Sequence, residues 1–159
     1  MPFTTVLTYA LYFFVLNYLV MFGAFYFFND WALRFLFRYP LRAVLANSPS
    51  EDTLRWTSIG MIFHRMEASF GLGIALLVGS MTYFCAGDLT LLSALSGGVA
   101  VHALIVSLNH TLSHAGRAEF CQPRYLPPQV LVTLGMLRFA GAFMALAYGL
   151  LAAYGFSLI

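Results

Sequence analysis

The chain has 159 residues, of which 61% are hydrophobic and only 9% are charged, and its formal net charge is +2. Its mean hydropathy of +0.82 lies far outside the balance of a soluble globular domain. The composition excludes a soluble enzyme and predicts an all-α integral membrane protein surrounded by a lipid bilayer, and we expect no nucleic-acid partner.

Four stretches are long and apolar enough to cross a membrane, for which a helix needs about 20 largely apolar residues. They cover residues 5–28, 58–85, 89–113 and 129–159. No length remains for a separate soluble domain, so residues 1–159 are predicted to form a single transmembrane domain, a four-span helical bundle. The first stretch has no basic segment before it and no cleavage signature after it, so we expect it to be a retained helix.

Between the first two spans the sequence predicts an inner amphipathic helix over residues 29–46. Arg34, Arg38 and Arg42 are four residues apart and therefore share one helical face, with aromatic and aliphatic residues around them. Such a helix lies at the membrane surface with its guanidinium groups near lipid phosphates. A face that docks a partner protein is the alternative interpretation.

The distribution of arginine predicts the topology. Arginine residues are concentrated in the loops after the first and third spans, and these loops lie on the same side when the chain has four spans. The positive-inside rule places that side inside and both termini on the outer side. Cys85 then lies outside and Cys121 inside, about 30 Å apart across the bilayer. This separation is too large for a disulfide bond, so we expect two free thiols.

Small residues recur at a spacing of four in two of the spans, and such stripes let neighbouring helices approach closely in lipid. The stripes consist of Gly71, Ala75 and Gly79 in the second span and of Gly141, Ala145, Gly149 and Ala153 in the fourth. They predict helix contacts, either within this chain or with another subunit.

Several histidine, arginine and glutamate side chains fall within the predicted spans or at their ends, where each is costly unless it has a partner or a function. They are His64, Arg65 and Glu67 in the second span, His102, His110 and His114 in the third, and Arg138 in the fourth. The histidines of the third span share one face and form a ladder that descends from mid-membrane to the inner surface.

Two interpretations of these residues involve neither a haem nor a quinone. In the first, they only terminate helices or bond to neighbouring backbone, as in a purely structural subunit of a respiratory complex. In the second, they bind a metal ion. His110 and His114, four residues apart, present two imidazoles to one ion, and His64 or Glu67 completes the site of a metal-dependent oxidase or oxygenase.

The third interpretation is a haem and a quinone. A mid-membrane imidazole such as His102 is suited to be an axial iron ligand, while arginine and histidine nearer the surface bind propionates or a quinone carbonyl. Arg138 needs Glu67, a propionate or a backbone carbonyl as its partner at that depth.

Two motifs resemble the cytochrome b membrane anchor subunit of succinate dehydrogenase. TSIGMIFHR, residues 57–65, resembles the start of that family's first anchor helix, in which a Thr-Ser pair precedes a His-Arg pair. NHTLSHAGR, residues 109–117, resembles the Arg-His-x-x-x-Asp-x-Gly ending of its second helix, with His102 near the position of its haem-ligating histidine. Met61 stands where the family has a quinone-binding serine, Asn109 where it has arginine, and His114 where it has aspartate.

The resemblance implies that Arg65, with help from His64, contacts ubiquinone near the inner surface. It also implies that His102 ligates the iron of haem b and that His110 lies near a propionate, and we add Arg138 to these cofactor-binding residues. The implied partners are a second membrane anchor subunit, an iron–sulfur subunit and a flavoprotein subunit. We therefore predict a membrane anchor subunit of a quinone-linked respiratory dehydrogenase, in a mitochondrial inner membrane or a bacterial cytoplasmic membrane, that is not an enzyme alone.

Overall fold

A computed structural model of the protein describes residues 2–37, 50–115 and 128–159, and this part of the chain is helical without any strand. The helices are α1 (Phe3–Phe27), α2 (Asn29–Phe37), α3 (Glu51–Phe84), α4 (Leu89–His114) and α5 (Pro128–Ser157). By length and composition, four of them are able to cross a membrane: α1, α3, α4 and α5. This confirms the all-α fold class and supports the multi-pass transmembrane character. The predicted spans agree with α1, α4 and α5 to within one turn, whereas α3 begins at Glu51, about two turns before the predicted start at residue 58.

The amphipathic helix predicted over residues 29–46 is described for its first part only. α2 presents Trp31, Arg34 and Phe35 to the outside and buries Ala32 completely. The rings of Trp31 and Phe35 are parallel, with centroids 5.3 Å apart. Several residues used in the topology prediction lie outside the described residues: Arg38, Arg42, Arg117, Cys121 and Arg124.

The turn between α3 and α4 explains why two long helices are separated by so few residues. Gly87 has a φ of +100°, a conformation that suits glycine because it has no Cβ atom. Asp88 then caps α4, since its side chain accepts a hydrogen bond of 3.0 Å from the backbone N–H of Leu91. Cys85 lies at the start of this turn as a free, partly exposed thiol.

The chain divides into two compact units, which are described separately. The first comprises Met1–Phe13 and Val78–Ile159, and the second comprises Phe14–Leu77. In the first unit, α4 and α5 pack against each other in antiparallel orientation. Ser93 on α4 lies against Gly155 on α5, and Ser107 lies against Gly141.

Small side chains make this antiparallel packing close. A Cβ atom at Gly141 would lie 3.0 Å from the Cβ of Ser107, and one at Gly149 would lie 3.9 Å from the Cβ of Ala100. Two glycines of the stripe predicted in the fourth span therefore contact α4 of the same chain, whereas Ala153 is exposed. The buried residues of α4 are Leu92, Ser93, Ser96, Val99, Ala103 and Ser107.

The beginning of α1 packs in the same unit. The hydroxyl of Tyr148 donates a hydrogen bond to the backbone carbonyl of Ala10. Near the end of α5, the ring of Tyr154 meets Phe3 edge to face, with centroids 4.8 Å apart. Leu7 and Leu11 are fully buried.

The second unit contains the rest of α1, α2 and the first part of α3. Its buried centre consists of Phe25, Ala32 and Ala68. One turn along α3 from Ala68, Gly71 is buried against the ring of Phe22, so that a Cβ atom there would overlap the ring. This contact accounts for one glycine of the stripe predicted in the second span.

Candidate functional site

His64 is the most constrained of the predicted site residues in the second unit. Its ring meets Phe25 of α1 edge to face, with centroids 4.6 Å apart and an interplanar angle of 84°. Its Nε2 atom is buried and has no hydrogen-bond partner among the described residues. The imidazole thus packs against the ring of Phe25, and its Nε2 atom can bond to a partner other than the described residues.

Asn29 contacts α3 at Met61, one turn before His64, and was not predicted as a site residue. It is the first residue of α2, directly after the bend at Phe28, and only 8% of it is exposed. Its Nδ2 atom donates to the thioether sulfur of Met61 at 3.6 Å, and thioether sulfur is a weak acceptor. Its Oδ1 atom is buried without a hydrogen-bond partner in the described part of the chain.

These four residues form one surface, which we name the elbow cluster: Phe25, Asn29, Met61 and His64. Met61 and His64 are three residues apart on α3, and Phe25 and Asn29 are four residues apart across the bend, so each pair shares a helical face. The contacts run in opposite directions along the two segments, since Phe25 meets His64 and Asn29 meets Met61. The cluster therefore holds two polar atoms, Oδ1 of Asn29 and Nε2 of His64, that have no hydrogen-bond partner among the described residues.

Arg65, predicted to share the quinone with His64, has an exposed side chain. Consecutive residues on a helix diverge by about 100° around its axis, so Arg65 points away from the face that meets Phe25. Glu67 is exposed as well. Joint contact of His64 and Arg65 with one ligand stays a prediction.

In the first unit, Arg138 carries a charge well inside an apolar helix. The apolar window of α5 begins at Val130, and a rise of about 1.5 Å per residue puts Arg138 about 12 Å beyond it. Its Cζ atom lies 4.7 Å from the ring centroid of Phe139, which contributes a cation–π contact. Its Nε atom is buried and lacks a hydrogen-bond partner within the described ranges. Glu67 belongs to the other unit, and its pairing with Arg138 stays a prediction.

The backbone of Arg138 is held more tightly than its side chain. Ser107 Oγ donates a hydrogen bond of 2.6 Å to the carbonyl oxygen of Arg138. Because Ser107 is buried between α4 and α5, this bond fixes the height of Arg138 along the helix pair. The hydrogen bond therefore fixes the backbone position from which the Arg138 side chain extends.

The three histidines predicted as a ladder lie along α4 and are all partly buried: His102, His110 and His114. Their outermost members are twelve residues apart, hence about 18 Å along the axis. A Cβ atom at Gly135 would lie 3.7 Å from Nε2 of His114, so this imidazole lies over the first turns of α5. His110 lies one turn before His114 on the same side of α4.

The imidazole and amide groups of the elbow cluster can form hydrogen bonds with a ligand. In the first unit, Arg138 adds one positive charge within a spanning helix. Among the described residues, no three His, Cys, Asp or Glu side chains are grouped closely enough to hold a metal ion. The structure therefore adds no support to the metal site predicted from His64, Glu67, His110 and His114. No protein-family model matches the chain, and no curated protein or solved structure matches it either.

Proposed function

We propose that this chain is a membrane anchor subunit of a quinone-linked respiratory dehydrogenase of the succinate dehydrogenase type. The observation that carries the proposal is a pair of buried polar atoms in the spanning helices, Nε2 of His64 and Nε of Arg138, that lack hydrogen-bond partners among the described residues. Hydrocarbon offers no water to satisfy such groups, and each one left alone costs several kcal/mol. Both atoms therefore call for a partner from outside the described chain.

A quinone suits the first of these atoms. Its carbonyl oxygens accept a hydrogen bond from an imidazole N–H, and its flat ring packs beside an aromatic side chain such as Phe25. In the proposed complex, electrons pass from a flavoprotein subunit to an iron–sulfur subunit, which delivers them to ubiquinone. His64 would hold the headgroup, and the exposed guanidinium of Arg65 would approach it from the surface shared with the partner subunits.

A haem b suits the second atom. Bound haem would supply electron transfer through its iron. His102 would hold that iron, while His110 and Arg138 would bind propionates, because a guanidinium recognises a carboxylate through charge-assisted hydrogen bonds. The Nε of Arg138 lacks a hydrogen-bond partner among the described residues and is suited to bond to a carboxylate oxygen.

The arginine distribution supports an orientation for this subunit. The positive-inside rule puts both termini on the outer side and the loops after the first and third spans on the inner side. The iron–sulfur and flavoprotein subunits would then dock on the inner side of a mitochondrial inner membrane or a bacterial cytoplasmic membrane. His64 and Arg65 enter the bilayer from that side in this orientation.

The first experiment is gentle solubilisation of the protein with its natural partners, followed by a reduced-minus-oxidised visible spectrum and mass identification of the co-purifying subunits. A b-type α-band together with flavin and iron–sulfur subunits is the expected result. Absence of haem together with absence of redox partners would overturn the proposal. A positive metal analysis would then favour the metal-dependent oxidase, and a negative one a purely structural subunit.

The second experiment compares two arginine variants in the assembled complex. Arg65→Ala is expected to abolish electron transfer to ubiquinone while a soluble dye is still reduced, because the dye takes electrons before they reach the membrane subunit. Arg34→Ala is the matched control, since Arg34 is also exposed but lies on α2 outside the spans. Loss of both activities in Arg65→Ala would indicate a role in assembly and contradict quinone contact.

A further inference from the structure

We infer that Asn29 and His64 together form a two-point hydrogen-bonding site for the ring oxygen of a quinone or hydroquinone. This inference rests on the proposed quinone-linked function and adds to it a residue from another part of the sequence. The ligand class is a neutral ring that carries carbonyl or hydroxyl oxygens. The site is the elbow cluster of Phe25, Asn29, Met61 and His64.

The burial of Asn29 is the first reason. An asparagine amide has two N–H donors and an oxygen with two lone pairs. Asn29 is only 8% exposed, yet in the described chain its Oδ1 has no partner, and its Nδ2 donates to a thioether sulfur at 3.6 Å. A buried amide held this weakly by its own chain is poised to bond a ligand.

The position of His64 is the second, independent reason. Its Nε2 is also buried and has no hydrogen-bond partner in the described ranges, and His64 lies one helical turn along α3 from Met61, which Asn29 contacts. The two unpartnered atoms thus share one interface between the bend at Phe28 and α3. The ring of Phe25, edge to face with His64, lies at the same interface and makes it partly apolar.

The chemistry of the two side chains matches both redox states of such a ring. An amide donates through N–H to the carbonyl oxygen of a quinone, and it accepts through its oxygen from the hydroxyl of a hydroquinone. A neutral imidazole likewise has one donor and one acceptor nitrogen. A guanidinium such as that of Arg65 only donates, so it cannot accept the hydrogen bond that the hydroxyl of a hydroquinone offers.

The test measures equilibrium binding of a radiolabelled ubiquinone with one isoprenoid unit to the purified, detergent-solubilised complex. Asn29→Ala and Asn29→Ser leave gaps of nearly equal size and differ by a hydroxyl. Loss of one hydrogen bond is expected to weaken binding roughly tenfold in Asn29→Ala, whereas Asn29→Ser recovers most of the affinity. Asn17→Ala, an exposed asparagine on the same helix as Phe25, is the matched control and binds normally.

A second measurement does not depend on the folding of a variant. In the unaltered complex, an azido-ubiquinone is expected to label residues in or next to 25–29 and 61–64, as located by mass spectrometry. Labelling confined to other segments, or equal binding by Asn29→Ala and the unaltered protein, would overturn the assignment of Asn29 and leave the proposed function standing. Failure of the unaltered complex to bind ubiquinone at all would overturn the proposed function itself.

Discussion

The hydroxyl of Ser107 on α4 donates a hydrogen bond to the backbone carbonyl of Arg138 on α5, at 2.6 Å. Gly141, one turn further along α5, lies against the same serine, since a Cβ atom there would be 3.0 Å from the Cβ of Ser107 and 3.2 Å from the carbonyl oxygen of Ala103. The serine therefore occupies a notch on α5 between Arg138 and Gly141. A close approach of the two helices and the intramembrane charge therefore occur at the same level.

A bulky residue in this notch is expected to separate the helices. Gly141→Leu should lower the free energy of unfolding by about 3 kcal/mol, because overpacking a close contact forces backbone shifts. Gly98→Leu is the matched control, since Gly98 on α4 has no atom within 4 Å of an added Cβ, and its effect should stay within about 0.5 kcal/mol. Titration of the purified protein with a denaturing detergent measures both. Equal effects would show that α4 and α5 do not approach closely at Gly141.

Two glycines of α3 offer a closer comparison. A Cβ atom at Gly71 would overlap the ring of Phe22, whereas one at Gly73 would meet nothing within 4 Å. Gly71→Ala should therefore cost about 1–3 kcal/mol of stability. Gly73→Ala should gain up to about 1 kcal/mol, because alanine loses less conformational entropy in a helix than glycine. Thermal unfolding in detergent distinguishes them, and a stabilised Gly71→Ala protein would contradict the contact with Phe22.

Neutralising the charge in α5 is expected to weaken haem binding. Arg138→Gln keeps hydrogen-bonding capacity but removes the charge that would pair with a propionate. We expect the b-type α-band to fall several-fold per mole of protein, while His102→Ala removes it altogether. Arg34→Gln, which changes an exposed arginine outside the spans, should leave the band unchanged. A full α-band in Arg138→Gln would assign its guanidinium to another partner.

The orientation in the membrane is testable through the two cysteines. Cys85, in the turn between α3 and α4, should react with a membrane-impermeant maleimide added to the outer side when Cys121 is replaced by serine. The converse variant, Cys85→Ser, should react only after the membrane is permeabilised. Mass shifts of the labelled chain give the result. The reverse pattern would place both termini inside.

The spanning helices were predictable because their signal is local. About 20 consecutive apolar residues suffice for a helix that crosses hydrocarbon, and the sequence contains four such stretches that the structure forms as α1, α3, α4 and α5. The small-residue stripe of the fourth span was predictable as a contact surface for the same reason. That Gly141 and Gly149 face α4 of this chain was not, since choosing a partner helix requires the tertiary structure.

The candidate site was predictable only in part. His64 stood out because an imidazole in a spanning segment is costly. Asn29 did not, because it directly follows an aromatic run and reads as the polar start of a surface helix. Its burial arises from the way the bend at Phe28 meets α3, a contact between residues 32 positions apart in the sequence. The sequence offered one signal, which is that Asn29 lies at the end of a span with Phe28 on one side and Asp30 on the other.

The hydrogen bond from Tyr148 to Ala10 has a consequence for biogenesis. Because a ribosome makes the chain from its N-terminus, residues 14–77 are all present before α5 exists, whereas residues 1–13 acquire their partner on α5 only after position 148 has been synthesised. Leu7 and Leu11, fully buried in the finished protein, lack part of their surroundings until then. The beginning of α1 is thus made before the other described helices but is among the last segments to reach its final environment.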